Sequence, residues 1–273
     1  MTSRDEKEAR ARFAERYVVP TPLTMADIER RVLGEGKAWG VNGYTTVAQA
    51  DALGRALELG PGRCLLDVGT GRGYPGLYLA AKTGCSVVGT DLPHEPLVAA
   101  IRKAGREQLE SRAAFVAAGG RAQPFREGSF DAVVLTDVLC CLRAKLAVLR
   151  SLKRLLRPGG RIALTTIYVT AGLPPAARRR ANRSGPRAVA SRAAPPQLLA
   201  SAGFVDIDEV DLTPEFATTG QAWVEQWDQN ADELIHLEGL AAFGERQRGR
   251  RMQLCAIEDG LLRRGLFWAR RPL

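Results

Sequence analysis

The 273-residue chain can form one large domain or two small ones, and its 45% hydrophobic and 25% charged residues are those of an ordinary folded protein. Disorder and collagen-like repeats are not expected, and neither is a membrane span: the longest uncharged stretch, Ile162 to Ala177, is broken by Gly172, Pro174 and Pro175 and falls short of the roughly 20 apolar residues a bilayer needs. The net charge of +9 is mostly local, since Arg178, Arg179, Arg180, Arg183, Arg187 and Arg192 lie in Ala171 to Pro196 with no acidic residue among them. Only 6 of the 39 basic residues are lysine, an imbalance that GC-rich coding produces without functional cause, so the basicity carries little weight. The mixed-charge N-terminus (Arg4, Asp5, Glu6, Lys7, Glu8) has no apolar run behind it and does not read as a signal peptide, which leaves the cytoplasm as the expected location. Five cysteines (Cys64, Cys85, Cys140, Cys141, Cys255) without a C-x-x-C pair fit neither a disulfide framework nor a zinc site.

In chain order, residues 5 to 59 predict three helices: Glu6 to Tyr17, Met25 to Leu33 and Val47 to Leu59. They are separated by Pro20, Pro22 and a glycine-rich loop with Trp39 and Tyr44, and Thr45 or Thr46 is a candidate N-cap. From Cys64 onwards short apolar runs alternate with helical ones, which is the pattern of βαβ units on a parallel sheet. Strands are expected at Cys64–Val68, Ser86–Thr90, Ala113–Ala117, Ala132–Leu135 and Arg161–Tyr168. Between them come helices at Tyr74–Ala81, Leu97–Gln108 and along the stripe of Leu142, Leu146, Leu149, Leu152 and Leu156, which Pro158-Gly159-Gly160 ends. Ala171 to Pro196, rich in proline and arginine, reads as a long excursion. A helix (Pro196 to Ser201), a strand (Phe204 to Val210), a loop at Thr213-Pro214, a largely helical segment (Gln221 to Cys255) and a last strand (Leu261 to Ala269) complete the chain. The expected organisation is an N-terminal helical cap (1–59), an α/β core (60–170), an Arg/Pro-rich insertion (171–196) and the rest of the core with a helical lid (197–273).

Chemistry concentrates in Leu66-Asp67-Val68-Gly69-Thr70-Gly71-Arg72-Gly73, a strand that passes through three alternating glycines into a helix. Glycines are needed where a ligand lies directly against backbone. The spacing is not the G-x-G-x-x-G of a dinucleotide site, and an acid two residues ahead of the first glycine would repel a pyrophosphate but suit a ligand with a cationic amine or sulfonium. Twenty residues after Gly71, Asp91 ends the second strand, where a carboxylate accepts hydrogen bonds from both hydroxyls of a ribose. An adenosine-type ligand is implied.

These residues resemble the class I S-adenosylmethionine-dependent methyltransferases from about residue 60 to the C-terminus. Leu65 to Gly73 resembles their first motif and Val88-Gly89-Thr90-Asp91 their ribose-binding acid. Gln123-Pro124-Phe125 with Ser129 to Val134 resembles the entry to their fourth strand, and Leu156 to Arg161 and Leu199 to Phe204 resemble later landmarks. The resemblance implies a Rossmann-like, doubly wound seven-stranded sheet with the last strand antiparallel and S-adenosylmethionine over the ends of the first two strands; the predicted helices before residue 60 would form an N-terminal helical lid on it. The cofactor residues it implies are Tyr44, Asp67, Gly69, Thr70, Gly71, Gly73, Asp91, Leu92, Arg121 and Ala122. One departure is plain: where such enzymes carry an acid for the adenine amine, this chain has Ala118-Gly119-Gly120-Arg121-Ala122, so backbone groups, Arg121 or Gln123 would have to serve.

Methyl transfer is an in-line displacement that asks mainly for positioning and exclusion of water. Candidate bases are Asp137, His236 and Tyr168, with His94 expected near adenosine or solvent; Asp137 is equally a candidate cap, and His236 a structural residue. Trp39, Trp223 and Trp227 are candidates to line an apolar acceptor pocket or simply core. The arginine excursion suits either an anionic acceptor or solvent. The Asn/Asp-Pro-Pro-aromatic tetrad of base-amine enzymes is replaced by Asp137-Val138-Leu139-Cys140, so the expected acceptor is a small molecule, methylated on O, N or C, and nucleic acid is an unlikely partner. An RNA methyltransferase and a non-catalytic cofactor-binding relative are the alternatives. No metal is expected.

Overall fold

The computed structural model describes residues 10, 23–34 and 43–273. Apart from Arg10, the predicted helix Glu6–Tyr17 lies outside the described residues, as does Trp39. One sheet of seven strands carries the fold: β1 (Cys64–Val68), β2 (Ser86–Asp91), β3 (Ala113–Ala117), β4 (Phe130–Thr136), β5 (Leu156–Val169), β6 (Val205–Asp211) and β7 (Leu262–Arg270), in the order β3-β2-β1-β4-β5-β7-β6. β1 pairs in parallel with β2 and β4, whereas β7 runs antiparallel to β5 and β6. The order reverses between β1 and β4. In open α/β sheets a crevice forms at such a point, outside the carboxyl ends of the strands.

Alternation along β1 shows how the core divides. Leu66 and Val68 face α5 (Lys145–Leu155) and α7 (Pro195–Ser201) through Val148, Leu149, Leu152 and Leu199. Leu65 faces the other way, onto α2 (Val47–Ala56), α3 (Gly76–Thr83) and α4 (Glu95–Arg106) through Leu53, Leu77 and Ala104. With both faces covered, the strands read as near-continuous apolar runs rather than alternating ones. α2 begins with a reciprocal capping box: the Gln49 amide donates to Thr46 Oγ1 at 3.2 Å, and the Thr46 amide donates to Gln49 Oε1 at 3.3 Å.

The lid is built from α1 (Leu23–Leu33), α8 (Thr213–Gln229), α9 (Ala231–Glu238) and α10 (Leu240–Glu258). Ile28, Val32 and Leu33 of α1 meet Trp223 and Trp227 of α8 and Leu234 of α9, so both tryptophans are core; Phe243 stacks on Trp227, and the Arg250 guanidinium lies over both indoles.

Three elements differ from expectation for identifiable reasons. The arginine-rich stretch is not all loop: α6 (Pro175–Ser184) forms there, with Ala177, Ala181 and Ser184 at spacings of four and three turned inward. A stripe of such small residues carries almost no hydropathy signal. Leu156 leaves the helical stripe and opens β5 opposite Phe130, with an irregularity before the regular pairing of Ala132 with Arg161. Thr213-Pro214 starts α8 instead of a loop, since proline is well accommodated in a first helical turn.

Candidate cofactor cleft

β1 ends at Val68 and the chain turns through Gly69, Gly71 and Gly73, all at positive φ (75°, 55° and 98°). The turn is pinned to β2: the amides of Gly69 and Thr70 both donate to the Thr90 carbonyl, at 2.7 and 3.0 Å. Side chains are excluded by contact as well as by φ. A Cβ at Gly69 would lie 2.3 Å from Val138 Cγ2, and one at Gly73 would lie 2.5 Å from Leu77 Cδ1.

Two carboxylates frame this loop. Asp91 accepts the Gly71 amide on Oδ2 (2.8 Å) and the Leu92 amide on Oδ1 (2.7 Å), so it holds the glycine turn and keeps a lone pair on each oxygen. Burial raises its carboxyl above the ordinary range, opposed by those two amides. Asp67 is wholly buried, and its Oδ2 accepts Thr70 Oγ1 (2.7 Å) and the Gly76 amide (3.0 Å). Its Oδ1 is buried with no hydrogen-bond partner. Burial pushes Asp67 up to about 7 against the Thr70 and Gly76 bonds, with the charge of Asp91 adding to the rise.

The loop after β3 is a tight turn: the Ala118 amide donates to the Asp91 carbonyl (2.9 Å), and the Ala122 amide to Gly119 O (3.1 Å). Arg121 and Ala122 are exposed on it. Gln123 is turned inward instead, with Nε2 donating to Gly119 O at 3.1 Å and a buried Oε1 that meets no donor.

The structure disperses the three expected bases. Asp137 ends β4 at the crevice with φ 56°, but both its oxygens are engaged: Arg264 Nε donates to Oδ1 at 2.8 Å and Nη2 to Oδ2 at 3.0 Å. Its expected role as a cap is not seen, because the following turn takes Val138 as its N-cap with no side-chain bond. Tyr168 sits on β5 with its ring against Phe267, among Arg263, Asp211 and Glu209 of β6 and β7. His236 is exposed on α9, and His94 is exposed at the start of α4. Tyr44 points into the lid: its ring meets Phe216 edge-on at 4.7 Å and its hydroxyl donates to Gln253 Oε1. Burial pushes that hydroxyl up to about 12, so it stays protonated. Arg264, which carries the network around Asp137, gave no signal in the sequence; an arginine inside a strand reads as an outward residue.

An apolar groove of about 430 Å³ lies between α2 and the β6–β7 edge, lined by Ala52, Leu212, Leu266 and Trp268, apart from the glycine loop. Among the described residues no cluster of three His, Cys, Asp or Glu side chains is placed to hold a metal ion, and no helix is long and apolar enough to cross a membrane.

Residues 66–164, from the middle of β1 to the middle of β5, match a family model described as a methyltransferase domain. That stretch is a methyltransferase domain, and the chain around it is similar to S-adenosylmethionine-dependent methyltransferases. It is 34% identical to methyltransferase GfsG of Streptomyces halstedii over 119 residues, which are 44% of this chain and 43% of that protein. It is 25% identical to phosphoethanolamine N-methyltransferase 1 of Zea mays over 232 residues, 84% of this chain and 46% of that protein. The chain thus spans less than half the length of those curated relatives. In fold it is similar to phosphoethanolamine N-methyltransferase 2 of Haemonchus contortus in complex with S-adenosyl-L-methionine, with a TM-score of 0.75 at 20% identity over 92% of this chain and 57% of that one. It is also similar to the geranyl diphosphate C-methyltransferase of Streptomyces coelicolor A3(2), with a TM-score of 0.73 at 18% identity over 99% of both chains.

Proposed function

We propose that this chain transfers a methyl group from S-adenosylmethionine to an oxygen, nitrogen or carbon of a small-molecule acceptor. The observation that carries the reading is the glycine turn held between two carboxylates, Asp67 buried and Asp91 half-buried, each with acceptor capacity left over: Asp91 keeps lone pairs at the end of β2, and Asp67 keeps a whole oxygen unpaired. A buried polar atom without a partner costs about 1–3 kcal/mol, so a ligand that brings donors to these atoms gains by binding. In this reading Asp91 takes the ribose hydroxyls, Gly69, Thr70, Gly71, Gly73 and Leu92 line the cofactor with backbone, and Asp67 supplies negative potential for its cationic end. Gln123 Oε1 stands in for the absent acid as acceptor for the adenine amine, beside Arg121 and Ala122. Tyr44 closes the lid behind the cleft.

The cofactor, when bound, supplies an electrophilic methyl group on a sulfonium. The protein's own part is then to hold the acceptor in line and to exclude water, which the lid residues Tyr44, Phe216 and Trp223 do with apolar surface. The engagement of Asp137 by Arg264 and the exposure of His236 on α9 favour transfer by positioning over transfer by a dedicated base. Five free thiols suit a reducing, cytoplasmic setting.

Calorimetric titration with S-adenosylmethionine and S-adenosylhomocysteine tests the reading, with bulk RNA retention at physiological salt as the control. Micromolar cofactor binding without RNA retention is expected, followed by activity in a metabolite screen; no heat at millimolar ligand overturns it. Asp91→Ala should weaken cofactor binding by about 1.5–3 kcal/mol, and Gln123→Leu by about 1 kcal/mol. Unchanged affinity in both would show that the ribose and adenine lie elsewhere.

A further inference from the structure

Arg264 is wholly buried on β7, three strands from β1. A buried charge persists only when paired and hydrogen-bonded, and this one is satisfied by residues far apart in sequence. Besides its two bonds to Asp137, Nη1 donates to Gln49 Oε1 at 2.8 Å and Nη2 to Thr45 Oγ1 at 2.8 Å. Asp137 in turn accepts the Tyr44 amide on Oδ2 at 3.0 Å, and Gly43 passes so close that a Cβ there would lie 3.0 Å from the same oxygen. Thr45 Oγ1 also meets Thr165 Oγ1 of β5 at 3.1 Å. Residues 43–49 of the cap are therefore fastened to Asp137 beyond β4 and to Thr165 of β5 by direct bonds, and the Arg264 guanidinium ties Asp137, Thr45 and Gln49 together.

The network also reaches the cleft. Asp137 adopts the left-handed conformation at the end of β4, and the next residue, Val138, presses its Cγ2 into the space that Gly69 leaves by lacking a side chain. Any movement of Asp137 carries Val138 with it, and so alters the floor of the glycine turn.

We propose that Arg264 is a positioning residue for the cofactor: it latches residues 43–49 over the crevice and fixes Asp137 and Val138 against the glycine turn, so that retention of S-adenosylmethionine depends on a side chain that does not touch it. This rests on the cofactor reading above, and two measurements separate the parts. The first needs no cofactor. Amide hydrogen exchange of Tyr44 in the cofactor-free protein reports the latch, and Arg264→Ala should speed it at least tenfold while core strands β1 and β4 stay protected. The second is the dissociation rate and Kd of S-adenosylmethionine. Arg264→Ala should raise Kd about tenfold, a change equivalent to about 1.4 kcal/mol, mainly through faster release, and millimolar guanidinium should restore part of it. A loss of global stability alone would not respond to guanidinium in this way.

Should Arg264→Ala fail to fold, Thr45→Val removes one bond from the guanidinium and should move both readouts in the same direction by a smaller factor. Tyr44 exchange unchanged in a folded variant overturns the latch. Faster exchange with Kd and release unchanged overturns its role in cofactor retention. If the wild-type protein itself binds no S-adenosylmethionine, the cofactor reading fails, and the proposal with it, whatever the exchange data show of the latch.

Discussion

Replacing Asp67 with asparagine should change the pH dependence of stability in a defined direction. Burial lifts this carboxyl from 3.8 to about 7 in the folded protein. The folded state then binds the proton more tightly than the unfolded chain, so the stabilisation from this group is fully present below 3.8 and is lost as pH rises through 7. A rise of roughly three units at 1.36 kcal/mol each sets an upper bound of about 4 kcal/mol. Asparagine resembles the protonated form at every pH, and its carbonyl can still accept from Thr70 and Gly76. Urea unfolding of both proteins from pH 4 to pH 8 should therefore give a stability difference, variant minus wild type, that widens steadily with pH up to about that bound and then levels off. Other titrating groups cancel in the difference. A gap that is flat across this range would refute the account of Asp67 as a carboxylate held against ionisation by burial. The same reasoning extends to the cofactor, whose cationic end favours the ionised form: binding at pH 6 should release a proton from the wild type and none from the variant, read as a buffer-dependent heat in calorimetry.

Gly69→Ala places a side chain at a left-handed position, at a cost of about 1–2 kcal/mol, and drives its Cβ into Val138; a lower Tm and weaker cofactor binding are expected. Adding Val138→Ala should recover part of the loss in a double-mutant cycle, and strict additivity would show that the two residues do not meet as described. Lys145, buried on α5, donates to the carbonyls of Leu142 (2.8 Å), Ala190 (3.1 Å) and Ala188. Lys145→Met leaves those carbonyls unpaired at about 1–3 kcal/mol and should free the segment behind α6. Faster tryptic cleavage at Arg187 is the expected readout, and an unchanged rate would assign the segment's order to Val189 and the other apolar contacts alone.

What could be read from the chain in advance follows the range of the forces involved. The strands of the sheet, the glycine turn and Asp91 are local or nearly so: apolar runs demand burial, glycine at alternate positions demands close approach, and the acid ends its own strand one βαβ unit later. The cap ahead of α2 was likewise legible as Thr45 or Thr46, whereas the reciprocal bond from Gln49 is seen only in the folded chain. The helix α6 stayed hidden because its inward stripe is alanine and serine, whose burial depends on how closely β5 and α10 approach. Gln123 was legible only as a residue near an absent acid; that its Oε1 is buried without a donor is a property of the folded turn.

The role of Asp137 shows the limit most clearly. Its position at the end of β4 followed from the pattern, and a carboxylate at a crevice suggested a base. Its partner, Arg264, is 127 residues away, and only the antiparallel insertion of β7 beside β5 brings that guanidinium under the cap. The sequence by itself determined where backbone must bend and where apolar faces must be covered, because those demands are met by neighbours in the chain. Which charges meet in the interior was decided by tertiary structure, because a buried ion pair forms between whatever groups strand order and crossover place within about 3 Å, and no local pattern records that distance.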